Sequence, residues 1–306
     1  MSETGDSHSA PRALTEQQQH QRRKIVTRTK GRTNGPITQF VGPSDLGQSM
    51  KPFVMLARYS VPEKATFNYP MHPHSGIASL AVIVEGTLHS VDSKGRPKVL
   101  QRGSVEWLMA GHGIWHGGPV STIEPTCGYL MWFALPPEHE LAPPAEAFID
   151  ARNTPAEGAA RVLLGRFNGT ESVWPAPVAA TCLYVELGEG DKWHYDPPES
   201  HDVLWMMVCA GSLDAGESVR EGELAVFERA SQSVNLVARN ACSFILGSAR
   251  FSPHDIVESH SSVHTSLAAL RQAEDEIARL GEQLNAQGRL PAEQWESAMQ
   301  KMRSRR

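Results

Sequence analysis

Short β-rich runs separated by glycine turns recur along most of this 306-residue chain. In the first half these runs cover residues 52–59, 78–85, 105–109 and 129–135, and in the second half residues 161–165, 181–187, 203–208, 224–228 and 243–246. Regularly spaced short strands predict a β-sandwich or a closed barrel. The 25 glycines and 21 prolines favour such a many-turned architecture over one built from long helices.

The two halves of the chain share a rhythm of strand, glycine turn, short hairpin and second glycine. Gly86 and Gly103 mark this rhythm in the first half, and Gly211 and Gly222 mark it in the second. Such an internal repeat predicts a duplicated barrel, and therefore an all-β protein. The predicted segments are a flexible N-terminal tail at 1–39, a first barrel at 40–137, a proline-rich linker at 138–160, a second barrel at 161–250 and a helical tail at 251–306.

The C-terminal part of the chain changes to a helical period. The apolar residues at this spacing are Leu267, Leu270, Ile277, Leu280 and Leu284. Ser266 is a candidate N-cap, Gly281 and Gly288 are candidate helix ends, and Pro291 suits the first turn of a last helix. We expect these helices to pack against a barrel, and a helix that mediates dimerisation is the alternative.

Charge and cysteine usage exclude several classes of function. A net charge of −5 and a pI near 6.2 provide no footprint for nucleic acid, so we expect no direct nucleic-acid binding. The four cysteines are isolated and form no CxxC pair, which predicts buried thiols in a reducing compartment. The sequence shows neither an apolar signal segment nor a run of about 18 apolar residues. We therefore expect a cytoplasmic protein without a membrane segment.

The sharpest chemical signal is the pair His72 and His74 in the run Met71-His72-Pro73-His74-Ser75-Gly76. Histidines at i and i+2 of an extended segment point to the same face. The following strand fits this alternation, so we expect its apolar residues to line the same barrel interior. Those residues are Leu80, Val82 and Val84. A His-x-His pair alone is weak evidence, because surface loops also carry such pairs.

A second histidine segment strengthens the metal hypothesis. His112 and His116 lie in the glycine-rich run from Ala110 to Gly118, and glycines permit tight turns and close backbone approach. A barrel could bring His116 beside the first pair, although a histidine that bonds turn backbone is the alternative. Three imidazoles that leave positions open suit a catalytic Fe, Zn, Cu or Ni ion.

Here the chain resembles a known family. The run from His72 through His89 to Ser93 resembles the first cupin motif of pirins, the run from Gly103 to His116 resembles the second, and Leu130–Pro136 resembles the strand that closes the pirin N-terminal barrel. The resemblance implies an all-β fold of two tandem cupin (jelly-roll-like) β-barrels with C-terminal helices. It also implies one non-haem iron in the first barrel and a second barrel without metal.

Carried over by motif position, the metal ligands are His72, His74 and His116. Pirins complete this set with a glutamate, but the two positions where they carry one are Gly118 and Ala78 here. The resemblance therefore implies a three-histidine site for Fe(2+), or for another divalent transition metal. His112 is a candidate for an additional ligand. No catalytic residue is assigned.

Two functions follow from the resemblance. The first is an iron-dependent dioxygenase that acts on dioxygen and a flavonol-like aromatic substrate, as a quercetin 2,3-dioxygenase does. The second is a non-enzymatic, redox-sensing regulator that binds a protein partner. A cupin that has lost its metal is a third possibility, disfavoured because the three histidines remain.

Trp107 is predicted to be core, and Trp115 either core or the wall of an aromatic pocket. His254, His260 and His264 are expected in loop and cap roles.

Overall fold

The computed structural model describes residues 23–303, in which β-strands predominate. The first twelve strands are β1 (Ile25–Thr29), β2 (Arg32–Asn34), β3 (Ile37–Val41), β4 (Phe53–Val61), β5 (Thr66–His74), β6 (Ile77–Glu85), β7 (Thr87–Val91), β8 (Pro97–Gln101), β9 (Val105–Met109), β10 (Ile114–Thr122), β11 (Thr126–Ala134) and β12 (Ala145–Ile149). A short helix, α1 (Gly47–Met50), lies between β3 and β4, and a 3-10 turn (Ala151–Asn153) follows β12.

The remaining elements form the second half and the C-terminal region. The strands are β13 (Ala156–Glu157), β14 (Ala160–Leu164), β15 (Arg166–Phe167), β16 (Thr170–Glu171), β17 (Ala180–Leu187), β18 (Lys192–Tyr195), β19 (Val203–Ala210), β20 (Ser212–Asp214), β21 (Ser218–Arg220), β22 (Leu224–Phe227), β23 (Val234–Ala238), β24 (Cys242–Ala249), β25 (Val257–Glu258) and β26 (Val263–His264). Two helices follow, α2 (Leu267–Ala286) and α3 (Ala292–Arg303).

Each half of the molecule combines a seven-stranded sheet with a four-stranded sheet. In the first half the orders are β12-β9-β6-β11-β4-β3-β2 and β5-β10-β7-β8. In the second half they are β1-β22-β19-β24-β17-β14-β13 and β18-β23-β20-β21. Each half is thus a jelly roll of two sheets rather than one continuously bonded barrel. The predicted all-β fold with two tandem jelly rolls and C-terminal helices is confirmed.

The two seven-stranded sheets pack against each other through a shared apolar core. Leu80 and Val82 of β6 belong to the same buried cluster as Trp205 and Met207 of β19, and Val84 packs against it. The prediction that these β6 residues line the histidine-bearing interior is therefore wrong. They face the other half of the molecule. Trp107 is 2% exposed in the same cluster, as predicted for a core residue.

Part of the predicted N-terminal tail is ordered strand. β1 pairs antiparallel with β22, and β2 and β3 extend the sheet that contains β4. Residues 23–39 are therefore strand and turn instead of flexible tail, and residues 1–22 lie outside the described residues. Because the partner of β1 lies about 200 residues away in sequence, its pairing leaves no local signal.

The predicted linker also contains regular structure. β12 pairs with β9 and extends the first-half sheet, and β13 pairs with β14 at the edge of the second-half sheet. The segment 138–160 is thus divided between the two sheets. The division of the chain into independently folding units stays a prediction.

The C-terminal helices follow the predicted capping in part. The Ser266 side chain accepts a hydrogen bond from the Ala269 N–H, as an N-cap does. Gly281 does not end α2, because the helix continues to Ala286. A Cβ at Gly281 would lie 2.2 Å from the Trp295 ring, so this glycine permits close packing of α3 on α2. Gly288 does follow the helix end, with φ of 68°.

Within residues 23–303, no helix has the length and apolar character needed to cross a bilayer.

The second half contains a buried histidine that should make the protein acid-sensitive. Burial lowers the pKa of His201 to about 4, although Asp202 opposes the shift. Its Nδ1 lies 2.8 Å from the Ser248 hydroxyl. Because the folded pKa lies below the unfolded value of about 6.5, the stabilisation is complete above pH 6.5 and is lost as pH falls toward 4. Between pH 7 and pH 4.5, we expect the free energy of unfolding to fall by about 2 kcal/mol less in His201→Gln than in wild type. Urea unfolding at the two pH values measures this difference. An equal loss in both proteins would contradict this assignment.

Candidate metal centre

The three predicted metal-ligand histidines converge on adjacent strands. In the antiparallel pair of β5 and β10, His72 is directly opposite His116, and His74 follows two residues later on the same face. One ring nitrogen from each of the three lies within 4.8 Å of the others. Ring centroids are 4.3 Å apart for His72 and His116 and 5.1 Å apart for His74 and His116. The structure therefore brings together the set that the sequence motifs indicate.

Glycines shape β10 where it carries His116. The register shifts between His116 and Gly118, and Gly117 has φ of 146°. A Cβ at Gly117 would lie 2.7 Å from the Pro70 carbonyl oxygen. Gly117 therefore lets β10 approach β5 closely and keeps the histidine face turned inward.

Backbone carbonyls fix the tautomer of two of the histidines. His72 Nδ1 lies 2.9 Å from the Pro70 carbonyl oxygen, and His74 Nδ1 lies 2.9 Å from the Ser261 carbonyl oxygen. Because a carbonyl oxygen only accepts, each Nδ1 must carry the proton and donate it. Each Nε2 then presents a lone pair, which is the arrangement that metal-ligating histidines adopt.

His116 supplies the most direct indication that the three histidines suit a metal ion. Its Nε2 is buried and has no hydrogen-bond partner among the described residues. Leaving a buried polar nitrogen unsatisfied costs about 1–3 kcal/mol, so native proteins rarely do so without a reason. A metal ion held by the three Nε2 atoms would satisfy it. The residues present thus fit a transition metal that prefers imidazole nitrogen.

The electrostatics of the site keep the three rings neutral. Burial, together with the neighbouring His72, lowers the pKa of His74 to about 3. Burial also lowers the pKa of His72, and it holds the pKa of His116 well below its usual range with help from the other two histidines. Only a neutral imidazole can ligate a metal, so the site is in its binding form at neutral pH.

The glutamate positions of the family pattern offer no carboxylate here. Gly118 has φ of 133°, and a Cβ built there would meet the Val91 side chain at 2.7 Å. Ala78 is fully buried in the core between the two halves. Among the described residues, His112 is not part of the histidine cluster that could hold a metal ion. Its backbone N–H donates to the Ala142 carbonyl. Three histidines therefore make up the whole ligand set that the geometry identifies.

Aromatic rings surround the histidines. Trp132 of β11 lies 4.9 Å from the His74 ring, and Tyr69 lies 5.0 Å from the His72 ring. Trp115 points to the other face of β10, where it packs on Trp295 and donates to the Ile277 carbonyl. Trp115 is therefore core against the helices and does not wall the histidine site. Trp132 was not predicted at the site.

The C-terminal segment closes one side of the site, a contact that the sequence did not reveal. Ser75, which follows His74, bonds through its hydroxyl to Ser262 at 2.8 Å and to His264 Nε2 at 2.9 Å. His264 Nδ1 donates to Glu140 at 3.2 Å. These side chains are almost completely buried. We call Ser75, Glu140, Ser262 and His264 the buried clamp. The clamp holds the segment whose Ser261 carbonyl orients His74.

Comparison with known proteins identifies the family. The family model described as Pirin matches residues 34–133. A Pseudomonas aeruginosa protein named "Putative quercetin 2,3-dioxygenase" is 30% identical over 197 residues, which cover 60% of this chain and 68% of that protein. The chain belongs to the pirin family. A Vibrio cholerae protein of the same description is 25% identical, covering 74% of this pirin and 84% of the relative.

Solved structures share the fold of this pirin. A quercetin 2,3-dioxygenase from Acinetobacter baumannii matches with a TM-score of 0.72 and 19% identity, covering 84% of this chain and 97% of that one. A bacterial pirin from Escherichia coli, solved in complex with nickel(II), matches with a TM-score of 0.57 and 15% identity, covering 75% and 98%. At this identity the likeness establishes the two-cupin fold alone. The predicted family is confirmed by the family model and the sequence relatives.

Proposed function

We propose that this pirin is a metal-dependent dioxygenase whose iron(II) is held by His72, His74 and His116. Its substrate would be a flavonol-like aromatic molecule, oxidised with dioxygen as in a quercetin 2,3-dioxygenase. The observation that carries the proposal is the buried, partnerless Nε2 of His116 beside two histidines whose Nε2 lone pairs are free to ligate. The dioxygenase names of the relatives support the choice of reaction.

The chain's own residues prepare the site in two ways. The Pro70 and Ser261 carbonyls hold His72 and His74 in one tautomer, so neither ring needs to reorient. Trp132 packs edge-on against the His74 ring, and Tyr69, which is 46% exposed, packs edge-on against the His72 ring. A bound iron ion would supply Lewis acidity and one-electron chemistry with dioxygen. With glycine at position 118 no carboxylate is available there as a base, which favours a substrate that arrives already ionised.

Metal content and oxygen uptake test this proposal together. We expect wild-type protein to hold one iron per chain after anaerobic loading and to consume oxygen with a flavonol or catechol. His72→Ala should lose both. His194→Ala is the matched control, because His194 is an exposed histidine of the second half and should leave both values unchanged. Full iron loading without oxygen uptake across the substrate panel would refute the dioxygenase. The redox-sensing regulator and the cytoplasmic location stay predictions.

A further inference from the structure

A cavity of about 620 Å³ lies beside β10, and none of the three histidines is among the described residues that line it. It is bounded by Trp115, by the last two turns of α2, by the β7–β8 turn at residues 93–96, by the segment 144–146 and by Trp174 of the second half. Because Trp115 and His116 are neighbours on one strand, their side chains point to opposite faces of β10. The cavity thus lies where the two halves meet the C-terminal helix, and its volume is typical of small-molecule sites.

Large apolar side chains from three parts of the chain leave some of their surface in this cavity. Ile114 of β10, Leu284 of α2 and Trp174 are each only partly buried. They pack against three different apolar clusters of the interior, and their remaining surfaces meet at the cavity. An apolar ligand seated here would remove those surfaces from water, and the Trp174 indole offers a flat face to an aromatic ring.

Positive charge gathers at this cavity although the chain carries a net charge of −5. The charged residues of the described lining are three cations and one carboxylate: Lys94, Arg96, Arg289 and Glu146. Ser93 donates to Glu146 through its N–H at 3.2 Å and its hydroxyl at 2.6 Å, and Asp92 pairs with Arg96. Within residues 23–303 the Lys94 ammonium has no hydrogen bond or ion pair, and the Arg289 guanidinium donates to the Ser93 carbonyl alone, at 3.3 Å. Lys94 and Arg289 therefore keep their charge available for a ligand.

The end of helix α2 at the cavity has its carbonyl groups covered. The last carbonyls of a helix carry partial negative charge, which would repel an anion if they were exposed. The Gln283 carbonyl accepts a hydrogen bond from the Gln287 N–H at 3.1 Å. The Leu284 carbonyl accepts from the N–H groups of Arg289 and Leu290, at 2.9 and 3.2 Å. The side-chain amides of Gln283 and Gln287 also line the cavity and can donate to an anion.

We propose that this cavity binds a small amphipathic anion, an aromatic body that carries one carboxylate or sulfonate group. The aromatic body lies against Trp174 and the apolar residues of β10 and α2. The anionic group lies near Lys94 and Arg289. The site is separate from the metal centre, so its ligand binds whether or not a metal is present.

Two fluorescent probes, 8-anilinonaphthalene-1-sulfonate and N-phenyl-1-naphthylamine, test the inference on the folded, metal-free protein. They share one ring system, and only the first carries a sulfonate. We expect the sulfonate to saturate a single site per chain. Lys94→Gln and Arg289→Gln should each weaken the sulfonate roughly threefold and leave the affinity of the neutral probe unchanged. Lys192→Gln, at an exposed lysine of the second half, is the control and should change neither affinity.

Blocking variants locate the probes in the molecule. Gln283→Trp and Ala145→Trp each place a bulky side chain in the cavity, from two different walls, and each should weaken both probes at least about tenfold. Gln283 is exposed on α2, so its replacement requires no space in the core. His72→Ala should leave both affinities unchanged, because the histidine site is separate.

The inference would be overturned by any of three results. Wild-type affinity in both blocking variants would place the probes outside the cavity, and so would a loss of binding in His72→Ala. If Lys94→Gln and Arg289→Gln weaken both probes equally, or weaken neither, the cavity has no preference for an anion. Melting temperatures check that each variant remains folded.

Discussion

Replacing His116 with leucine should abolish metal binding and at the same time make the metal-free protein more stable. In the metal-free protein the His116 Nε2 is buried without a partner, and burial holds the pKa of the ring well below its usual range. Leucine fills a similar volume and removes the unsatisfied nitrogen. We expect the metal-free variant to gain about 1 kcal/mol in the free energy of unfolding.

The order of stability should reverse when metal is present. Metal that binds only the folded state stabilises wild type by about 2.7 kcal/mol at a free concentration one hundred times Kd. His116→Leu should gain nothing from the same metal. Urea unfolding of both proteins, with a chelator and with excess iron(II) or nickel(II), measures this reversal.

A matched substitution separates the site from a general effect of losing a histidine. His194→Leu removes an exposed histidine that bonds Asn235, and it should leave metal content unchanged. Stoichiometric metal in His116→Leu would show that His116 is not a ligand. A metal-free variant that is less stable than wild type would show that the buried nitrogen costs nothing.

The convergence of the three proposed metal ligands was predictable because its signal is local. His72 and His74 are two residues apart on a strand, and glycines surround His116, so the pattern could be found without knowing the fold. The side of the sheet to which the β6 side chains point could not be predicted from residue spacing in the same way. Leu80 lies six residues after His74, which suggests the same face, but Gly76 between them has φ of 69°. A left-handed residue interrupts the alternation, and the β6 residues turn to the opposite face.

Contacts between distant parts of the chain were beyond sequence reasoning. His74 and Ser261 are separated by 187 residues, and Glu140 and His264 by 124. Neither pair forms a recognisable sequence motif. The contact with His74 uses the backbone carbonyl of Ser261, which any residue at position 261 could provide. The sequence therefore predicts the proposed ligands but not the C-terminal segment that orients His74.

Glu140→Ala should weaken metal binding although Glu140 does not touch the metal site. Glu140 is 4% exposed and accepts hydrogen bonds from His264 Nδ1 at 3.2 Å and from the N–H and hydroxyl of Thr265, both at 2.7 Å. Removing it leaves three donors unsatisfied, the buried His264 Nδ1 and the N–H and hydroxyl of the half-buried Thr265, and releases the buried clamp. We expect a loss of about 3 kcal/mol in stability and a roughly 10- to 100-fold weaker metal affinity.

The metal affinity must be measured under conditions where every variant is folded. Otherwise a loss of global stability could be mistaken for a loss of His74 orientation. Competition with a chromophoric chelator well below the melting temperature meets this condition. Glu140→Gln keeps the shape and should recover most of the affinity, and Glu138→Ala, at an exposed glutamate of the same loop, should match wild type. If Glu140→Ala loses stability but keeps wild-type affinity, the Ser261 carbonyl is held without the clamp. A parallel fall of affinity in Glu140→Ala and His264→Ala, with recovery in Glu140→Gln, would show that the hydrogen bonds accepted by the side chain at position 140, far along the chain from the histidines, set the strength of the metal site.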